Sequence, residues 1–105
     1  MTAVADAVRT FLDHLAVERG LARNTVTSYR RDLLRYVEHL AEQAVTDIGD
    51  VGEEHVAGFL VRLRGGDTDH EPLSASSAAR AVVAVRGLHR FCLREGVAPT
   101  DVAST

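Results

Sequence analysis

Residues 73–96 read LSASSAARAVVAVRGLHRFCLREG. At about 100° of rotation per residue, Ala78, Ala81, Val85, Leu88 and Cys92 gather on one side of this stretch. Ser76, Arg80, Arg86, Arg90 and Arg94 gather on the other, with no acid among them. One oily face and one cationic face predict an amphipathic helix over 75–95. Ser74 or Ser76 can cap its start, because a short hydroxyl accepts from a free first-turn amide, and Gly96 can end it. Val83 and Gly87 fall among the arginines. A small uncharged gap between cations would let the helix approach a surface closely.

Such a helix buries one side and needs partners, and the sequence upstream supplies three. Residues 24–43 place Val26, Tyr29, Leu33, Tyr36, Val37 and Leu40 on one face, with Asn24, Thr27, Ser28, Arg31 and Arg35 turned away. Asn24 or Thr25 is the expected cap, and the positive pole of the helix dipole falls beside Arg23. Beyond Arg35 the polar face turns acidic at Glu38 and Glu42, so only the first half suits phosphate. Residues 2–18 carry Val4, Val8, Phe11, Leu12 and Leu15 at helical spacing, with Gly20 as a stop. Residues 53–64 align Val56, Phe59, Leu60 and Leu63, with Glu53 and Glu54 in the first turn, where the dipole favours acids. Between the third and fourth helices, Gly65 to Pro72 is a loop by composition and is expected to be mobile. The tail from Val97 to Thr105 reads as the start of a linker. No strand pattern or internal repeat is present, so the expected class is all-α.

At 105 residues and 46% apolar, the chain can bury one core and makes one domain. No apolar run could span a bilayer, and no basic segment followed by an apolar one suggests secretion. The lone Cys92 cannot form an internal disulfide; a cytoplasmic setting is expected. The net charge of −3 argues at first sight against nucleic acid, but it is made of patches. Residues 19–36 carry five Arg against Asp32 alone, and residues 80–105 carry four Arg against Glu95 and Asp101. Residues 37–79 hold nine acids and two Arg. A polyanion responds to the local patch, not to the total. All twelve basic residues are Arg, which reads as coding bias.

Metal and catalytic chemistry find little support. His14, His39, His55, His70 and His89 are scattered without ligand spacing, and no metal site or cofactor is expected. Gly65 and Gly66 precede acids that would repel phosphate. Tyr29 and Tyr36 lie seven apart on an apolar helix face and read as core residues rather than nucleophiles. His89 reads as a structural residue and Cys92 as a small buried hydrophobe.

The segment Gly20-Leu21-Ala22-Arg23-Asn24-Thr25 through Tyr29-Arg30-Arg31-Asp32-Leu33 resembles the opening of the core-binding domain of Xer-type tyrosine recombinases. It is preceded by Phe11, Leu12, Leu15, Glu18 and Arg19 as in that family. The segment Leu73 to Arg80, followed by Val85-Arg86-Gly87-Leu88-His89-Arg90-Phe91, resembles its last major helix. The match spans nearly the whole chain in order. Ala22 departs from the pattern, since many relatives have Ser there.

The resemblance implies a SAM-like bundle of four or five helices in two crossed hairpins, with residues 1–96 as the core-binding domain and 97–105 leading to a C-terminal catalytic domain. It implies that the second and fourth helices grip one side of a DNA half-site. The DNA-facing positions it implies are Arg23, Asn24, Thr25, Ser28 and Arg31, then Ser76, Ser77, Arg80, Arg86 and Arg90; the helix pattern adds Arg35. Catalysis in this family belongs to residues outside this stretch, so the chain alone is not expected to be an enzyme. The implied partners are double-stranded DNA and other recombinase protomers, four on two DNA sites. By itself the domain is expected to be monomeric. A phage or transposon integrase domain is the near alternative, and a helical protein-interaction module, favoured by the acidic belt, is the distant one.

Overall fold

The structure, a computed structural model, describes residues 1–104. Four helices follow one another: α1 (Val4–Asp13), α2 (Arg23–Glu42), α3 (Glu53–Gly65) and α4 (Ala75–Arg94). Helix α1 runs into a π-helical turn over His14–Glu18, and a short 3-10 turn, Ile48–Asp50, precedes α3. Among the described residues the only β pairing is an isolated bridge between Ala3 and Asp47. The fold is all-α, as expected. Two helical hairpins, α1–α2 and α3–α4, pack across each other, with α2 and α4 in direct contact.

The apolar faces read from the sequence meet in one core. Leu33, Tyr36 and Leu40 of α2, Phe59 and Leu63 of α3, and Ala81, Val85, Leu88 and Cys92 of α4 are all buried. Phe11, Leu12 and Leu15 close it from the α1 side. Ala81 and Ala84 have little side chain, which lets the backbone of α4 come close to its neighbours. The Tyr36 hydroxyl and His89 Nε2 are hydrogen-bonded at 2.7 Å inside this core. Burial pushes the Tyr36 hydroxyl up and the His89 imidazole down, so both are neutral at pH 7. Tyr36, His89 and Cys92 are thus core residues, while Tyr29 is half-buried at the edge.

Several local details differ from the sequence expectation. The first helix is not α-helical to its end. Arg19 N donates to His14 O at 3.0 Å, five residues back, and the wider turn keeps Leu15 inward while His14 stacks 5.0 Å from Phe91. Helix α2 starts after Ala22, which offers no side-chain cap, so Asn24 and Thr25 lie inside its first turn. Helix α4 is capped by Ser74, whose Oγ accepts from Ser77 N at 3.2 Å. The Gly65–Pro72 loop has more internal order than its composition predicts. Asp67 Oδ1 accepts from the amides of Asp69 and His70, each at 2.9 Å, and Oδ2 accepts from Arg62 Nε at 2.8 Å. Gly66 sits there at φ 74°, and a Cβ on it would fall 2.8 Å from the Pro72 ring. In the tail, Ala98 and Ala103 are buried against the core. No helix among the described residues is long and apolar enough to cross a membrane.

Candidate nucleic-acid interface

Helices α2 and α4 were the two elements with a polar back, and their packing decides which arginines share a surface. The first turn of α2 and the second half of α4 border a groove of about 450 Å³. Arg19, Thr25, Arg86, Arg90 and Arg94 line it, together with Tyr29, Val83 and Gly87, and no Asp or Glu does among the described residues. Arg19, Arg86, Arg90 and Arg94 are exposed. Arg94 lies 6.0 Å from the Phe91 ring centroid, which steadies its guanidinium at one end of the groove. Arg23, Asn24 and Arg31 are exposed along α2, and Ser28 is half-buried. The amides of the first turn of α2 have no side-chain cap, so the positive end of its dipole is left open beside Arg23.

A second crevice of about 450 Å³ lies between α2, the start of α4 and the loop before it. Arg31, Ser77 and Arg80 meet there, but so do Asp32, Asp69 and Glu71. This surface has mixed charge, unlike the first. Ser76 is exposed and does not line it; its Oγ lies 3.3 Å from that of Ser74.

Two expected members of the outward stripes are turned inward. Arg80 donates through Nε to Asp32 Oδ2 at 2.8 Å and through Nη2 to Asp32 Oδ1 at 3.0 Å, which raises its own affinity for the proton further. Arg35 has a side chain only 12% exposed, with Nη2 3.8 Å from Asp67 Oδ2. Its Nε and Nη2 are buried without a hydrogen-bond partner. Helical counting assigns a residue to a side of its own helix. It does not say that Asp32 of α2 faces α4 at that level, or that the acidic loop folds back onto α2 at Arg35.

Gly87 also has a different use from the one its position suggested. A Cβ built on it would lie 2.9 Å from Phe11 Cζ, so the missing side chain makes room for the α1 ring that lines the same groove. Arg19, missed as a site residue, enters the groove because the chain reverses after the π-helical turn. A periodicity argument stops at the end of the helix and gives no direction for it.

Away from α4, a charged network holds the α3–α4 loop to α2. Arg62 bridges Glu42 and Asp67. Burial alone would raise the Asp67 carboxyl, but hydrogen bonds from Arg62 and His70 hold it well below the usual carboxylate range. Burial lowers His39, whose Nε2 lies 3.3 Å from the His55 carbonyl. No group of three or more His, Cys, Asp or Glu side chains among the described residues is arranged to hold a metal ion.

Comparison with known proteins points to one family. The model of the phage integrase N-terminal SAM-like domain matches residues 8–96. A protein named tyrosine recombinase XerD from Mycobacterium tuberculosis is 56% identical over 105 residues, covering 98% of this chain and 34% of that protein. Its namesake in Mycobacterium leprae is 52% identical over 103 residues, covering 96% and 33%. Another in Corynebacterium glutamicum is 48% identical over 96 residues, covering 91% and 32%. The chain spans about a third of the length of these curated relatives.

Proposed function

The chain belongs to the phage integrase N-terminal SAM-like domain family, and from that membership we propose that it is the core-binding domain of a Xer-type tyrosine recombinase, holding one side of a DNA half-site with α2 and α4. The observation that carries this reading is the convergence of Arg19, Arg90 and Arg94 with Arg86 and Thr25 on one groove whose described lining residues include no Asp or Glu. Four guanidinium groups from two parts of the chain, the turn after α1 and helix α4, with no Asp or Glu among the described lining residues, make a local positive surface on a chain of net charge −3. Such a patch attracts a polyanion whatever the total charge.

Arginine suits the task because its planar fork meets phosphate or the guanine edge with two parallel bonds. Arg23, Asn24, Thr25, Ser28 and Arg31 on α2, and Ser76, Ser77, Arg86 and Arg90 on α4, supply phosphate and base contacts in this reading. Short polar side chains fix register while the cations supply most of the affinity. Arg35 is retained as a support of α2 rather than a direct contact, since Asp67 faces it. Residues 97–105 lead toward a catalytic domain that carries the Tyr nucleophile and the surrounding Arg, His and Lys. The whole protein acts in the cytoplasm as a tetramer on two DNA sites and resolves chromosome dimers. By itself the domain is monomeric and does no chemistry.

The test is a titration of the chain with a fluorescently labelled duplex, followed by anisotropy across salt. The isolated domain should bind in the range of about 10⁻⁴–10⁻⁶ M, with a log–log salt slope that loses roughly 0.9 per phosphate contact removed. The Arg31→Glu/Arg90→Glu double variant should bind at least about tenfold more weakly with a shallower slope. Arg64→Glu, on α3, should change affinity far less. Equal affinity for the double variant and the wild type would overturn the assigned surface.

A further inference from the structure

Asp32 is the one acid in the basic stretch 19–36. By plain charge counting, a carboxylate there weakens an anion-binding face. Its geometry assigns it a different task. The Asp32 side chain is 6% exposed, and both of its oxygens are taken by Arg80, Nε to Oδ2 at 2.8 Å and Nη2 to Oδ1 at 3.0 Å. This side-on fork fixes the plane of the guanidinium as well as its position. Of the five N–H bonds of Arg80, one on Nε and one on Nη2 are used by Asp32, which leaves both on Nη1 and one on Nη2, and Nη1 is not among the buried polar atoms that lack a partner. The Arg80 side chain is 33% exposed and lines the crevice shared with Arg31 and Ser77.

Resting on the DNA-binding reading of this face, we propose that Asp32 is a positioning residue. It holds Arg80 so that Nη1 stands as a preset donor for one backbone phosphate, flanked by Arg31 and Ser77. A loose arginine gives up its rotamer freedom when it binds; Arg80 has already given it up on folding. Asp32 and Arg80 neutralise each other, and Asp69 and Glu71 edge the same crevice. Bulk positive potential there is therefore small, and a directional donor is what the site offers a phosphate. The contact adds affinity and register while contributing little to the salt slope.

The test compares the chain with Asp32→Asn, Arg80→Met and the double variant, each titrated with the same random-sequence duplex at several salt concentrations. Thermal melting of every variant is recorded alongside. Removing a negative charge from a DNA-facing surface should tighten binding if charge alone matters. The positioning role requires the opposite: Asp32→Asn binds about tenfold more weakly, with a salt slope no shallower than wild type. Asp32→Asn/Arg80→Met should lose no more than Arg80→Met alone, because Asp32 acts through Arg80. A purely structural Asp32 would lower the melting temperature and leave the affinity of the folded protein unchanged or higher, and that result overturns the proposal. If Asp32→Asn does not fold, Arg80→Lys decides: it keeps a charge for Asp32 and has no second nitrogen to present. It should lose affinity to the same degree, and unchanged binding overturns the proposal. A wild-type chain with no salt-dependent duplex affinity overturns the DNA reading itself, which separates the two failures.

Discussion

Substituting Gly87 by Ala puts two known effects in opposition and lets the packing decide the sign. Gly87 lies in the middle of α4, and replacing a helical Gly by Ala ordinarily stabilises by about 0.8–1.0 kcal/mol. Here the new Cβ would sit 2.9 Å from Phe11 Cζ, with Cε1 and Cε2 at 3.7 and 3.8 Å. Carbon atoms pack comfortably at about 3.5 Å or more, so the ring must retreat by roughly 0.6 Å. It has little room, because Phe11 is 4% exposed and Phe91 stands 5.5 Å away, centroid to centroid. Overpacking of this kind costs about 1–3 kcal/mol. The net expectation is a loss of about 1 kcal/mol, or a melting temperature lower by about 5 °C for a domain of this size. Urea and thermal denaturation followed by circular dichroism measure it. In a Phe11→Leu background the crowding is relieved, and there the same alanine should stabilise, a non-additivity that identifies the contact. If Gly87→Ala matches or exceeds wild-type stability with Phe11 in place, the account of why this helix carries a glycine is wrong.

Other consequences can be measured on the same protein. Tyr36→Phe strips His89 Nε2 of its 2.7 Å partner inside the core and should cost about 1–3 kcal/mol in urea; a cost below about 0.5 kcal/mol would mean the bond contributes little. Stability should also fall as the pH drops from about 7 toward 5. Burial depresses His39 and His89, so near the unfolded pKa of about 6.5 the unfolded chain takes up protons that the folded one refuses. That contribution is complete above the unfolded pKa and is lost as pH falls through the folded values. His89→Gln should flatten the profile, and an unchanged slope would exclude His89 as its source.

The helices were legible because their periodicity is strong. The faces around Leu33, Tyr36 and Leu40, or Leu88 and Cys92, could be read one helix at a time, since burial of a stripe depends on local spacing. The resemblance read from residues 20–33 and 73–91 holds, as the family match over 8–96 shows. What one-helix reading lacks is the crossing. Arg80 and Arg90 look alike on a helical wheel, yet one meets Asp32 of α2 and the other is exposed. Arg35 was assigned to the outward stripe because nothing local shows that Asp67, 32 positions later, folds back toward it. The π-helical turn at His14–Glu18 left no mark that 3.6-residue spacing could detect. Gly87 was seen, but its reason lies on α1, in the ring of Phe11.

The amino end of the chain is stitched down rather than loose. Val4 N donates to Thr46 O and Ile48 N to Thr2 O, each at 2.8 Å, around the Ala3–Asp47 bridge. Two backbone bonds thus fasten the entry of the first hairpin to the hinge between the two hairpins, like a button through cloth. Shortening the polypeptide from this side would therefore loosen how the hairpins are set against each other well before it reached any arginine, whereas a tag joined ahead of the fully exposed Met1 would leave the fastening intact.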